Sequence, residues 1–258
     1  MVIGNRVFEN YTFVMAIVNL TPDSFWSESR HQSDALFAVE KAIKEGAAVI
    51  DLGAQSTRPN HTQVSADEEI DRLARTLEKV KANFDIPVSV DTYYSKCARV
   101  ALDLGADMIN DVWGLSYDED MAEVIAAHGA AACIMHNAKT PLSGDIWHPI
   151  TDFLEKAARK AVAAGVDKDK ILLDGGIGFA KNREQNYELL NGYERLSPLG
   201  YPLLLGTSRK SMFGGEVRDR LPQTLESTRL AAKKGVSFVR VHDVKENVRA
   251  IEECYGRN

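Results

Sequence analysis

Nine residues, Leu203 to Ser211 (LLLGTSRKS), set a guanidinium, an ammonium and three hydroxyls directly after a short apolar run. The run reads as a buried strand, and Gly206 releases the chain into the turn Thr207, Ser208, Arg209, Lys210, Ser211. Such a turn suits an anionic ligand, because hydroxyls and backbone N–H groups donate to its oxygens while two unlike cations neutralise its charge. A solvated loop with two surface cations would look the same in isolation, so the rest of the chain decides. Seven other apolar runs also end on polar residues. These are Asn19, Asp51 with Ser56, Thr57 and Arg58 beyond it, Asp91, Asn110 with Asp111, His136 with Asn137, Asp174, and Arg240 with His242.

The polar ends divide into two chemistries. Asp91, Asn110 and Asp174 form an acceptor-rich set with one amide that can also donate, which suits the amino-amide edge of a flat heterocycle. The competing reading of each aspartate alone is a helix cap or turn residue. Thr57, Arg58, Lys210, Arg240 and His242, with Asn19 as a neutral oxygen donor, suit a phosphate or diphosphate held with Mg²⁺. Other chemistries lack their signatures. No H-E-x-x-H or G-x-S-x-G occurs, and Cys97, Cys133 and Cys254 are too scattered for a metal knuckle or redox pair. His31, His61, His128 and His148 read as loop or surface residues.

Eight strands must carry these ends. Val14 to Val18 is the first; Ala47–Gly53, Ala106–Val112 and Val236–Val241 each follow a glycine that closes a helix, and similar runs follow Gly129, Gly165 and Gly200, with Pro87 opening another. Short Val/Ile/Leu-rich runs without strict alternation fit a parallel sheet covered by helices. Helices are expected from a Ser33 cap through Ala35–Glu45, then at Ser65–Asn83, Ser95–Leu104, Asp118–His128, Ile150–Gly165, Glu184–Leu196, Pro222–Lys234 and Val244–Tyr255. Eight alternating units in 258 residues predict one domain, a TIM (β/α)8 barrel, with a short N-terminal hairpin turning at Gly4–Asn5 and capping it. An open doubly wound sheet is the second choice, but its G-x-G-x-x-G fingerprint is missing. A net charge of -6 argues against general nucleic-acid or membrane-surface binding. With no signal-peptide pattern and no apolar run of membrane-spanning length, a cytoplasmic location is expected.

The motifs AIVNLTPDSF (Ala16–Phe25), STRP (Ser56–Pro59), SVDTYY (Ser89–Tyr94), INDVWG (Ile109–Gly114), MHN (Met135–Asn137), GIGFAK (Gly176–Lys181), GTSRKS (Gly206–Ser211) and RVHDV (Arg240–Val244) resemble dihydropteroate synthase, in family order and almost end to end. The resemblance implies a folate-pathway transferase that uses Mg²⁺ and works as a homodimer. It would join 6-hydroxymethyl-7,8-dihydropterin diphosphate to 4-aminobenzoate. Asp91, Asn110, Asp174 and Lys210 would hold the pterin and Arg240 would stack on it, with Asp91, Lys210 and Arg240 central to catalysis. Asn19 would meet the metal or the diphosphate, and Thr57, Arg58, Arg240 and His242 would line the diphosphate site. Phe25, Pro59, Phe179 and Ser211 would form the aminobenzoate pocket, the carboxylate facing the start of the helix after Ser211. The chain departs from the family pattern at Trp26–Ser29, in a loop about two residues shorter, and at Gln55, Asn60 and Gly175. Gln55 removes a charge, and Gly175 stands where proline is usual, which predicts a looser turn after Asp174. A methyltetrahydrofolate-dependent methyltransferase would share the pterin set but not need the diphosphate apparatus of Ser208, Arg209 and Lys210 with Thr57 and Arg58. A non-catalytic pterin-binding paralogue would bind without releasing product.

Overall fold

The computed structural model describes residues 1–20, 28–55 and 64–256, and no side chain of residues 28–33. The strands are β3 (Phe13–Asn19), β4 (Val49–Gly53), β5 (Val88–Asp91), β6 (Met108–Asp111), β7 (Ala131–Met135), β8 (Ile171–Asp174), β9 (Leu203–Leu205) and β10 (Phe238–Val241). All pair in parallel and close on themselves in the order β10-β3-β4-β5-β6-β7-β8-β9. The preceding pair, β1 (Val2–Ile3) and β2 (Arg6–Val7), is the expected antiparallel hairpin.

The two-residue period of a strand sorts these side chains into two cores. One face of the barrel strands (Val14, Ile50, Leu52, Val88, Val90, Ile109, Ile134, Leu173) packs under the helices. The other face (Met15, Val49, Met108, Cys133, Leu172, Leu204, Phe238) fills the barrel interior. The hairpin closes the same interior cluster through Ile3 and Phe8, so its capping role is a hydrophobic plug. Phe8 meets Phe13 and Phe238 edge-on at 5.0 and 5.2 Å.

The helices are α1 (Glu28–Lys44), α2 (Ala66–Asn83), α3 (Ser95–Asp103), α4 (Met121–Ala127), α5 (Trp147–Ala164), α6 (Arg183–Asn191), α7 (Leu221–Lys233) and α8 (Val244–Cys254). Several ends differ from those the sequence suggests, for identifiable reasons. α1 begins ahead of Ser33, because nothing in Glu28–Gln32 breaks a helix although the apolar stripe has not yet begun. α5 begins at Trp147 rather than Ile150. The Asp145 carboxylate accepts from the N–H groups of Trp147 (3.2 Å) and His148 (3.1 Å), and Pro149 sits in the first turn, where its missing N–H costs nothing. Asp118 does not begin α4. Its carboxylate accepts from Ser95 N–H at 2.8 Å and so anchors the start of α3. α6 stops at Gly192, where an added Cβ would lie 2.7 Å from the Trp147 ring, and a 3-10 turn (Tyr193–Leu199) completes the stretch expected to be helical. Among the described residues, no helix is long and apolar enough to cross a membrane.

Candidate active site

The inward column turns polar at the C-terminal rim in β4, β6, β8 and β10. Two residues beyond the interior apolar layer, Val49 leads to Asp51, Met108 to Asn110, Leu172 to Asp174 and Phe238 to Arg240. Strand register levels Asn19 with Gly53, Gly53 with Asp91 and Asp91 with Asn110. These residues sit at the C-terminal ends of the strands, the position where this architecture builds sites.

Arg240 ties that layer together. Its Nε donates to Asp51 Oδ2 and its Nη2 to Asp91 Oδ2, each at 2.6 Å. Asp51, fully buried, also accepts from Ser89 Oγ at 2.6 Å and from Asn110 Nδ2 at 3.3 Å. Against the desolvation that would lower it, Asp51 and Asp91 hold the guanidinium above its ordinary pKa. Burial pushes Asp91 up to about 7, with Arg240 opposing and the Asp51 charge adding to the rise. Asp91 Oδ1 is buried without a hydrogen-bond partner among the described residues. A buried acceptor in that condition calls for a donor from a ligand.

Across the mouth stands Asp174. Its Oδ1 accepts from Gly176 N–H at 2.8 Å and lies 3.1 Å from Tyr193 Oη, and burial raises its pKa while Lys210 opposes. Lys210 is pushed down to about 8 by burial, with Asp174 opposing. Its ammonium donates to the Ile177 carbonyl and lies 4.7 Å from the centre of the Phe179 ring. Gly178 makes room, since with φ of +85° its added Cβ would sit 3.0 Å from Lys210 Cδ. Lys210 thus interacts with both Asp174 and the Phe179 ring.

Other polar residues have different partners. Arg209, read as an anion ligand, forms a two-point ion pair with Asp243, Nε to Oδ2 at 2.8 Å and Nη2 to Oδ1 at 2.6 Å. Its backbone is left-handed at φ +54°, and Arg220 caps its carbonyl at 3.0 Å. The guanidinium therefore fastens the β9 loop to the β10 loop. Thr207 is buried against Ser227 (Oγ–Oγ 2.6 Å). Asp111 holds its own turn, accepting from the N–H groups of Trp113 and Leu115 at 2.8 Å each. Ser211 is exposed and opens a 3-10 turn, Ser211–Phe213; α7 does not begin until Leu221, so no α-helix dipole acts at Ser211. Ser208 Oγ and His242 Nδ1 are 2.9 Å apart, and Ser208 Oγ also accepts from His242 N–H at 3.2 Å, which brings those two rim residues together. Phe25, Thr57, Arg58 and Pro59, with Trp26, Ser27 and Asn60, lie outside the described residues.

The two described departures have defined settings. The Gly175 N–H donates to Tyr193 Oη at 2.9 Å, a bond no proline could make, so the turn after Asp174 is tied rather than loose. Gln55 bridges two partners, donating to Glu69 Oε2 at 2.6 Å and accepting from Tyr93 Oη at 3.2 Å. Glu69 is fully buried, and burial raises it to about 6. The neutral amide there avoids a second carboxylate beside a buried one.

Sequence reasoning passed over three contributors. The sequence places Asp51 at a rim but not its partner, and it assigns no role to Tyr193 or Lys181; the inward spacing from Val49 is the signal that marks Asp51. The family model for pterin binding enzymes matches residues 15–242. The dihydropteroate synthase of Clostridium beijerinckii is 44% identical over 260 residues, covering 97% of this chain and 96% of that protein. The Bacillus subtilis dihydropteroate synthase is 41% identical, covering 94% and 87%. Among solved structures, the dihydropteroate synthase of Clostridium difficile, determined in the presence of pteroic acid, superposes with a TM-score of 0.94 at 43% identity over 96% of this chain and 97% of that one. The Xanthomonas albilineans dihydropteroate synthase with 4-aminobenzoic acid gives a TM-score of 0.91 at 34% identity over 96% and 93%. A near-complete match in sequence and in barrel geometry leaves one assignment: the chain belongs to the pterin binding enzymes and, within them, to the dihydropteroate synthases.

Proposed function

We propose that the chain joins 6-hydroxymethyl-7,8-dihydropterin diphosphate to 4-aminobenzoate, giving 7,8-dihydropteroate and diphosphate. The observation that carries this reading is the convergence of Asp51, Asp91, Asn110, Asp174, Lys210 and Arg240 on one barrel mouth in a chain of this family. In the reaction the pterin methylene–oxygen bond breaks and diphosphate leaves with the electron pair. The aniline nitrogen then forms the new carbon–nitrogen bond and gives up a proton. No protein nucleophile is required.

Asp91, Asn110 and Asp174 accept the N–H groups of the pterin, and the unpartnered Asp91 Oδ1 is the free acceptor such an edge would fill. The carboxylates of Asp91 and Asp174, when ionised, favour the cationic heterocycle left when the diphosphate departs. Lys210 borders both the pterin and the leaving group, and Arg240, fixed by two carboxylates, presents a rigid planar cation for stacking. Asn19, Thr57, Arg58, Arg240 and His242 receive the diphosphate. Phe25, Pro59, Phe179 and Ser211 surround the aminobenzoate.

For Mg²⁺ the fitting group is Asn19. Its amide oxygen reaches over the end of β4, 3.6 Å from where a Cβ on Gly53 would stand, and the described residues contain no cluster of three His, Cys, Asp or Glu able to form a cage. One protein oxygen suits an ion completed by substrate phosphate and water, and when bound the ion supplies positive charge at the leaving diphosphate. The same reading gives a cytoplasmic homodimer, which light scattering of the purified protein would test.

The deciding experiment is diphosphate release by the purified protein with both substrates, with and without Mg²⁺. Release that depends on 4-aminobenzoate and Mg²⁺ is expected. Binding of the pterin diphosphate with no release would replace this reading with that of a non-catalytic paralogue.

A further inference from the structure

Lys181 ends the GIGFAK motif, and its ammonium is consumed inside the loop it closes. Nζ donates to the Gly176 carbonyl at 2.9 Å and to the Phe179 carbonyl at 3.0 Å, and it stands 3.0 Å from His136 Nδ1. An ammonium has three donors, so three acceptors satisfy it. Burial draws Lys181 down to about 7, and while it is protonated the third bond requires Nδ1 to be unprotonated, which leaves a neutral imidazole with its proton on Nε2. His136 is buried, and burial together with the Lys181 charge pushes it down to about 3. Asp174 and Lys210 are the other charged groups acting on Lys181.

The loop this knot holds has no slack. An added Cβ at Gly176, whose φ is +72°, would come within 1.9 Å of the His136 carbonyl oxygen, so the loop rests directly on the end of β7. Gly178 N–H is held by Asn186 Oδ1 at 2.6 Å, and Asn186 Nδ2 returns to the Lys181 carbonyl at 3.2 Å. Between these anchors lies Phe179, its carbonyl on Lys181 and its ring 4.7 Å from the Lys210 ammonium. We infer that Lys181 is a positioning residue for the aminobenzoate subsite, its three hydrogen bonds fixing the Phe179 ring against Lys210. The inference rests on the synthase reading, in which Phe179 lines that subsite.

The test is Lys181→Met in the full chain, with two readouts. In steady-state diphosphate release, KM for 4-aminobenzoate should rise about tenfold, because small displacements of a positioning group weaken binding steeply. KM for the pterin diphosphate and kcat should move less than twofold. In a histidine NMR titration, His136 should titrate at higher pH once the neighbouring ammonium is gone. Lys181→Gln, which keeps two donors, should give an intermediate aminobenzoate KM, and it serves alone if the methionine variant does not fold. An unchanged aminobenzoate KM in an active enzyme, or equal losses for both substrates, would overturn the inference and leave the synthase reading standing. Absence of turnover in the unaltered protein would overturn both.

Discussion

Asp91→Asn separates what the rim does for stability from what it does for chemistry. Burial pushes this carboxyl up to about 7 from its ordinary 3.8. A carboxyl raised in the folded state holds its proton more tightly there than in the unfolded chain. Its contribution is therefore neutral below the unfolded pKa, grows more destabilising as pH climbs from about 4 to about 7, and is constant above that. At ~1.36 kcal/mol per pKa unit, the cost is a few kcal/mol at pH 8 and only a fraction of that at pH 5. Asparagine cannot ionise and escapes this dependence. It does place an amide N–H₂ where Oδ1 now lacks a partner, a pH-independent penalty of about 1–3 kcal/mol. The difference between variant and parent should thus shift by about 2–3 kcal/mol in favour of the variant between pH 5 and pH 8. In melting temperature that is roughly 5–10 °C. Urea denaturation of both proteins at the two pH values measures it, while diphosphate release should fall sharply in the variant at either pH. A shift of opposite sign would mean that the ion pair with Arg240, 2.6 Å away, outweighs desolvation, and the account of this rim would be wrong.

Lys210→Ala should lower turnover at least ~100-fold, since Lys210 is the largest charge opposing the burial of Asp174; near-normal diphosphate release would overturn the site assignment. Arg209→Ala should cost about 1–3 kcal/mol in urea denaturation by leaving Asp243 without its two-point partner, and Arg209→Lys should recover less than half. Tyr193→Phe should also cost about 1–3 kcal/mol, because Gly175 N–H and the Leu204 carbonyl both lose their partner; a loss under about 0.5 kcal/mol would show that the turn after Asp174 is held by Asp174 alone. Gln55→Glu should be tolerated at pH 5, where one proton can sit between the new carboxyl and Glu69. It should lose stability as pH rises through the Glu69 pKa of about 6, which thermal melts at pH 5 and pH 8 would reveal.

The barrel was legible because its grammar is local. A short buried strand ending near a polar residue recurs eight times, six of those strands following a glycine that closes the preceding helical stretch, and each of these signals is fixed by neighbours in sequence. Helix ends were less legible wherever a distant residue sets them. Asp118 caps α3 rather than α4, and Gly192 is required by the ring of Trp147. The same distinction runs through the site. Asp91, Asn110 and Asp174 could be read from their place at strand ends, whereas the partner that matters to Asp51 lies on β10, joined only when the barrel closes. Arg209 was misread because composition cannot reveal direction: its left-handed backbone accompanies a side chain paired with Asp243, while the adjacent Lys210 reaches Ile177 and Phe179.

The charges of the mouth share a bias that bears on how it works. Asp91 and Asp174 are raised while Lys210 and Lys181 are lowered, so carboxyls and ammoniums alike are pushed toward neutrality. Burial is the largest cause in all four, which means desolvation outweighs pairing at these groups. Arg240 is the exception. Two carboxylates at 2.6 Å hold it charged, and it anchors the rest. A ligand that offers N–H donors to Asp91 and Asp174 and negative oxygens toward Lys210 would favour the ionised form of each group at once. Binding should therefore take up or release protons near neutral pH, lowering the carboxyl pKa values and raising that of Lys210. Calorimetric titration of the pterin diphosphate in buffers of different ionisation enthalpy reads this directly. A binding enthalpy independent of the buffer between pH 6 and pH 8 would show that these groups are already ionised before the ligand arrives, and desolvation would lose its place as the dominant force at this rim.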